Sequence, residues 1–186
     1  MRSAAIVALA ILAAIAYGVV HDQITVRLSL EYFTIGHPRL IDTDSPTLLA
    51  LFWGVVATWW VGLPLGIVLA VAARVGKRPK LTARQLVGPV LRLLGIMAAS
   101  AVVAGAMAAG LALAGKVQLA TWLALRVAPE RQTRFIAVGG AHLASYLVGA
   151  IGGVVLAFLV WRRRERVDVA VEQSALPPDS PLRSEG

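Results

Sequence analysis

Apolar residues in this chain fall into four long runs, each followed by a short polar stretch. The first run, residues 3–20, reads SAAIVALAILAAIAYGVV. Its 18 residues carry no charge. At about 1.5 Å each they reach roughly 27 Å, just enough for a hydrocarbon core of about 30 Å. A cleavable signal peptide is the rival reading: Arg2, an apolar core, then Ala14-Ile15-Ala16 as a cleavage site. The run continues through Val19 and Val20 without a polar break, which favours a retained helix.

The second run spans 46–73. Ser45 can cap its free amides, and Pro46 suits the first turn, where a missing N–H costs nothing. Its 28 residues exceed the hydrocarbon thickness, so tilt or overhang is expected. Pro64, between Gly62 and Gly66, predicts a kink. Trp53 reads as an interfacial anchor. Trp59 and Trp60 lie deeper and are expected to pack on neighbouring helices.

The third run, 93–114, and the fourth, 135–161, are rich in small residues. Ala101, Gly105 and Ala109 recur every four positions, as do Ala106, Gly110 and Ala114. Ala141, Ser145, Gly149 and Gly153 form a similar stripe. Small faces let backbones approach closely in lipid, so these two helices are expected to pack together, with a dimer face as the competing use. The fold class that follows is all-α: a four-helix transmembrane bundle over 1–166, with a polar insert between its first two helices. Residues 167–186, polar and rich in Pro and Ser, predict a disordered cytoplasmic tail.

Composition agrees with a membrane chain. Hydrophobic residues make up 58% and charged residues 15%, and the mean hydropathy is +0.75. There is no cysteine, which excludes disulfides and thiolate metal sites. The net charge of +8 does not indicate nucleic acid, because the basic residues cluster beside apolar runs. Twelve of them fall on the side of the N-terminus, the 74–92 connection and the tail, against six in the other connections. The positive-inside rule places both termini in the cytoplasm of a cell-membrane protein and the insert outside. RVGKRPKLTARQ and WRRRER then serve as orientation signals first and anionic-lipid contacts second.

The insert itself, residues 21–45, admits two local structures. ITVRLSLEYF alternates apolar and polar residues like a strand. A single strand has no partner for its backbone, so a helical extension of the first segment, with Ile24, Leu28 and Tyr32 at four-residue spacing, is favoured. GHPRLIDTDSP is then a loop. In the other connection, Leu119, Trp122, Leu123 and Arg126 suit a short surface helix, and Pro129 and Glu130 suit the start of the fourth helix.

The stretches HDQITVRLSLEYFTIGHPRLIDTDSPT and ALFWGVVATWWVGLPLG resemble a group of small, uncharacterised bacterial integral membrane proteins. The resemblance covers roughly residues 17–90. It implies a bacterial membrane location, no activity and no functional residue.

Candidate chemistry is sparse. No phosphate-binding loop, dinucleotide fingerprint or nucleophile elbow occurs, so no catalytic residue, no cofactor and no enzyme activity is expected. The three histidines, His21, His37 and His142, all fall on the insert side. His142 lies about 10 Å into the fourth segment, with Tyr146 one turn below it. Ionisable groups within a span are costly and often functional. With Asp22 and Glu31, these imidazoles form a candidate set for a divalent metal or a proton path. The structural alternative makes them hydrogen-bonding braces, with Asp42 and Asp44 as turn residues. The favoured reading is a non-catalytic subunit or scaffold whose partners are the lipid bilayer and another membrane protein or itself. The runner-up is an ion- or metal-handling protein, which requires His142 within a few ångströms of His21, Asp22, Glu31 or His37.

Overall fold

A computed structural model describes the backbone of residues 2–175 and the side chains of residues 2–165. It contains helices α1 (Arg2–Leu28), α2 (Leu30–Thr34), α3 (Pro46–Val56), α4 (Trp59–Arg74), α5 (Ala83–Leu113), α6 (Thr121–Ala124) and α7 (Pro129–Ala175). No strand occurs among the described residues. Four spans are long and apolar enough to cross a membrane: α1, α3 with α4, α5, and Pro129–Glu165 of α7. Only 11 to 22% of residues in their most apolar windows are buried within the chain. The remaining apolar surface is far larger than a water-facing domain tolerates, and lipid is the solvent that covers it.

Helices outrun the hydropathy on which their sequence boundaries rest. The first continues past its apolar run to Leu28, in line with the favoured helical extension, the third starts at Ala83 rather than 93, and the fourth starts at Pro129, as Pro129 and Glu130 indicate. Hydropathy marks the stretch that suits lipid, whereas a helix ends where its backbone is capped. At the start of α5, the Gln85 side chain accepts the Thr82 N–H at 2.9 Å. At its end, Gly115 adopts φ +67°, and Lys116 N–H reaches back to Leu111 C=O at 2.9 Å. Helix α7 runs to Ala175, past the expected start of the tail at 167; residues 176–186 lie outside the described residues.

Two local expectations are corrected, and one break is added. The second span breaks at Ala57–Thr58, ahead of Pro64, which lies inside α4. Thr58 stabilises the break by donating its hydroxyl to Gly54 C=O, while Thr58 N–H bonds Val55 C=O. Ser45 starts α3 without a side-chain cap bond, and its carbonyl accepts Leu49 N–H instead. Trp53 is buried, whereas Trp59 and Trp60 are exposed to the surrounding lipid. Depth along the sequence does not set which face a residue occupies; the break before α4 turns Trp59 and Trp60 outward.

Close backbone approach joins the spans. A Cβ on Gly54 would lie 2.6 Å from Val19 Cα, and one on Gly62 would lie 2.8 Å from Ile11 Cα. Helix α1 therefore lies directly against α3 and α4. Helices α5 and α7 pack as their stripes predict: a Cβ on Gly105 would meet Ala137 C=O at 3.2 Å, and one on Gly140 would meet Ala108 Cβ at 2.7 Å. The stripe on α7 divides, however, since Gly153 faces Leu65 of α4. The face with Ala106, Gly110 and Ala114 is exposed.

Two apolar clusters close the ends of the bundle. Val26, Phe33, Leu49, Trp53 and Val138 fill the insert end. Ile6, Leu69, Leu86, Val90 and Val160 fill the opposite end. There the buried Arg164 donates to the carbonyls of Ala72, Val75, Arg78 and Pro79, fixing the turn after α4. Between the clusters lies a cavity.

Candidate functional site

His21 and Asp22 sit on the last turns of α1, and His142 sits on the facing turn of α7. The hydrogen bond between Tyr17 of α1 and Ser145 of α7, 2.8 Å long, joins the two helices one turn below. Asp22 Oδ1 lies 3.2 Å from His142 Nε2, and both side chains are buried. His21 Nε2 lies 3.4 Å from His142 Nδ1. One donor atom from each of the three residues falls within 4.8 Å of the others.

The second nitrogen of His142 fixes the chemistry. Nδ1 lies 2.9 Å from Val138 C=O, an acceptor only, so Nδ1 carries the hydrogen. In a neutral ring, Nε2 then presents a lone pair, and it faces a carboxylate oxygen at 3.2 Å. Two acceptors at that separation in a buried site repel unless a cation lies between them. A proton or a metal ion meets that need. A backbone carbonyl on the far nitrogen is also the usual outer partner of a metal-bound histidine.

The surroundings hold the rings still. Tyr17 stacks on His21 with centroids 5.6 Å apart, and its hydroxyl bonds Ser145 at 2.8 Å. Tyr32 lies 4.7 Å from the His142 ring and Phe33 lies 5.8 Å from it. The insert thus forms a cover over the site. The strand reading of 24–33 is replaced by helix, broken at Ser29. Ile24 and Leu28 point outward and do not stack with Tyr32 as the four-residue spacing suggests, because the break redirects α2.

Glu31 and His37 hold the cover and stay out of the cluster. Glu31 pairs with Arg131 of α7 and accepts from Ser29 Oγ at 3.2 Å. Burial pushes the Glu31 carboxyl up, but the Arg131 bond and charge, a backbone bond and the Ser29 hydroxyl together outweigh it and leave the group below its ordinary range. His37 donates from Nδ1 to Tyr32 C=O at 2.8 Å and packs on Trp53 at 4.6 Å. Burial holds the His37 ring below its usual value, against the opposing pull of that bond. Burial also pushes the Tyr32 phenol up to about 12, so it stays protonated. Asp42 and Asp44 pair with Arg39 in the exposed loop.

Of the five candidate residues, the structure gathers His21, Asp22 and His142. Tyr17 and Ser145 are additions. Their positions one turn from His21 and His142 on the same helices are the signal for them. No protein-family model, curated protein or solved structure matches this chain.

Proposed function

We propose that this chain is a multi-pass protein of the bacterial cell membrane that binds a cation between Asp22 and His142, with His21 as a third donor. Charge bias supports both termini in the cytoplasm and the site in the outer half. The observation that carries the reading is the contact of Asp22 Oδ1 with His142 Nε2, whose hydrogen is committed to the other ring nitrogen. This geometry meets the condition set for the ion-handling reading and favours it over the scaffold reading.

The donor set selects the ion. Two imidazole nitrogens and one carboxylate oxygen suit Zn²⁺ or a similar borderline divalent metal, and three protein donors leave a position open. At bond lengths of about 2.0–2.2 Å, tetrahedral donors lie roughly 3.3 Å apart. The Asp22–His142 spacing of 3.2 Å matches this, and His21 offers a third donor atom within 4.8 Å of the other two residues' donors. A proton shared by Asp22 and His142 is the second reading, favoured by the same contact.

Metal content separates the two readings. Wild-type protein purified without chelator should carry about one divalent ion per chain, and His142→Gln and Asp22→Asn should carry none. A metal-free wild type that accepts no Zn²⁺, with both variants folded, would leave the proton reading.

The exposed face of Ala106, Gly110 and Ala114 supports a partner of a different kind. A helix from another membrane protein, or from a second copy, fits such a face.

A further inference from the structure

The cavity beneath Asp22 and His142 has a polar ceiling and apolar walls. It is narrow, with a volume of about 110 Å³. Tyr17, His21, Asp22, His142, Ser145 and Tyr146 line one end. Below them come alanines of α1, glycines of α4 and α7, and leucines of α4 and α5. The lining on α1 extends from Asp22 down to Ala10, which at about 1.5 Å per residue is roughly 18 Å. Small residues line much of this space: Ala10, Ala13 and Ala14 on α1, Gly62 on α4, and Gly149 and Gly153 on α7. Thr58 also lines the cavity, with its hydroxyl committed to Gly54 C=O; the remaining lining below the ceiling is apolar, so water gains little there.

We infer that this cavity takes the single chain of a long-chain carboxylic acid, with the carboxylate at the Asp22–His142 site and the chain running toward Val90 and Leu156. Size argues for one unbranched chain, since about 110 Å³ spread along roughly 18 Å of α1 leaves the shaft room for a single slender chain. The ceiling argues for the head. It offers an open position on a bound divalent cation and two hydroxyls, Tyr17 and Ser145, within 2.8 Å of each other. Charge argues for a carboxylate in particular. A divalent cation, the Asp22 carboxylate and a second carboxylate sum to zero, which is the charge a buried membrane site favours. The head group rests on the cation reading; the chain site rests on the shaft alone.

The test is photocrosslinking in lipid nanodiscs with palmitate bearing a diazirine near its methyl end. Wild-type protein should be labelled at Leu94, Met97 or Leu156, and excess unlabelled palmitate should abolish that label. Leu94→Trp, which fills the shaft without touching the ceiling, should lower the labelling at Leu156 about tenfold or more while metal content stays unchanged. Labelling confined to lipid-facing positions such as Val102, Met107 and Ile151, or insensitive to unlabelled palmitate, would overturn the inference. The wild-type map decides this even if Leu94→Trp fails to fold. Shaft labelling without bound metal would sink the cation reading only. Metal without shaft labelling would sink the chain site only.

Discussion

Gly54→Ala should damage both the bundle and the site, through a single methyl group. That methyl would sit 2.6 Å from Val19 Cα and Val19 N, both backbone atoms. Ordinary carbon contacts begin near 3.4 Å, so α1 and α3 must part by about 0.8 Å. No flexible side-chain end is available to yield. Overpacking of this kind costs about 1–3 kcal/mol. Alanine also favours helix over glycine by up to about 1 kcal/mol, which partly hides the cost. Gly95→Ala on α5 provides the reference, because nothing lies within 4 Å of its new methyl. The stability gap between the two variants isolates the overpacking term, about 1–3 kcal/mol. Reversible unfolding in mixed micelles measures it. Val19 precedes Asp22 by less than one turn, so Gly54→Ala should also weaken metal retention. Equal stability of the two variants would refute the backbone contact between α1 and α3.

Other consequences follow from the same contacts. Arg164→Gln should cost at least about 3 kcal/mol, because four carbonyls lose a charged donor, and Arg164→Lys should not restore it, lacking the planar fork; thermal unfolding checks both. Trp53→Ala should cost about 3–5 kcal/mol in the same assay, while Trp59→Ala, on the lipid face, should cost less than about 1 kcal/mol. The cover should loosen in acid. His37 sits below its ordinary 6.5, so its contribution is complete above that value and fades as pH falls from 6.5 toward the lowered value. Glu31 also sits below its ordinary 4.5, so its contribution is complete above 4.5 and is lost as pH falls further through the folded value. Amide exchange of 30–37, corrected for intrinsic rates, should therefore rise in two stages on acidification, and Glu31→Gln should remove the second.

Span number and helical class were legible in the chain because membrane-crossing hydropathy is a long, redundant signal. The pairing of α5 with α7 was legible from Gly105 and Ala141, since small residues at four-residue spacing mark one helix face. Pro46 and Pro129 marked two helix starts, but the ends of α5 were not legible, because Thr82, Gln85 and Gly115 act through local bonding that hydropathy does not register. The outward turn of Trp59 and Trp60 was hidden for a similar reason: the break at Thr58 changes which face leads into α4. Five polar candidates were visible on the insert side, but His21, Asp22 and His142 meet only through the α1–α7 juxtaposition, across 120 residues of chain. Periodicity holds no record of that distance. Glu31 and His37 belong to the cover because Glu31 pairs with Arg131 and His37 packs on Trp53, again tertiary facts.

Titration of the metal-free protein with Co²⁺ tests the cation site most directly, since the visible ligand-field bands report the donors that hold the ion. The account predicts bands that saturate at about one equivalent per chain, are abolished in His142→Gln and Asp22→Asn, and weaken in His21→Gln. Folded wild-type protein that develops no bands, or bands that persist unchanged in His142→Gln, would contradict it.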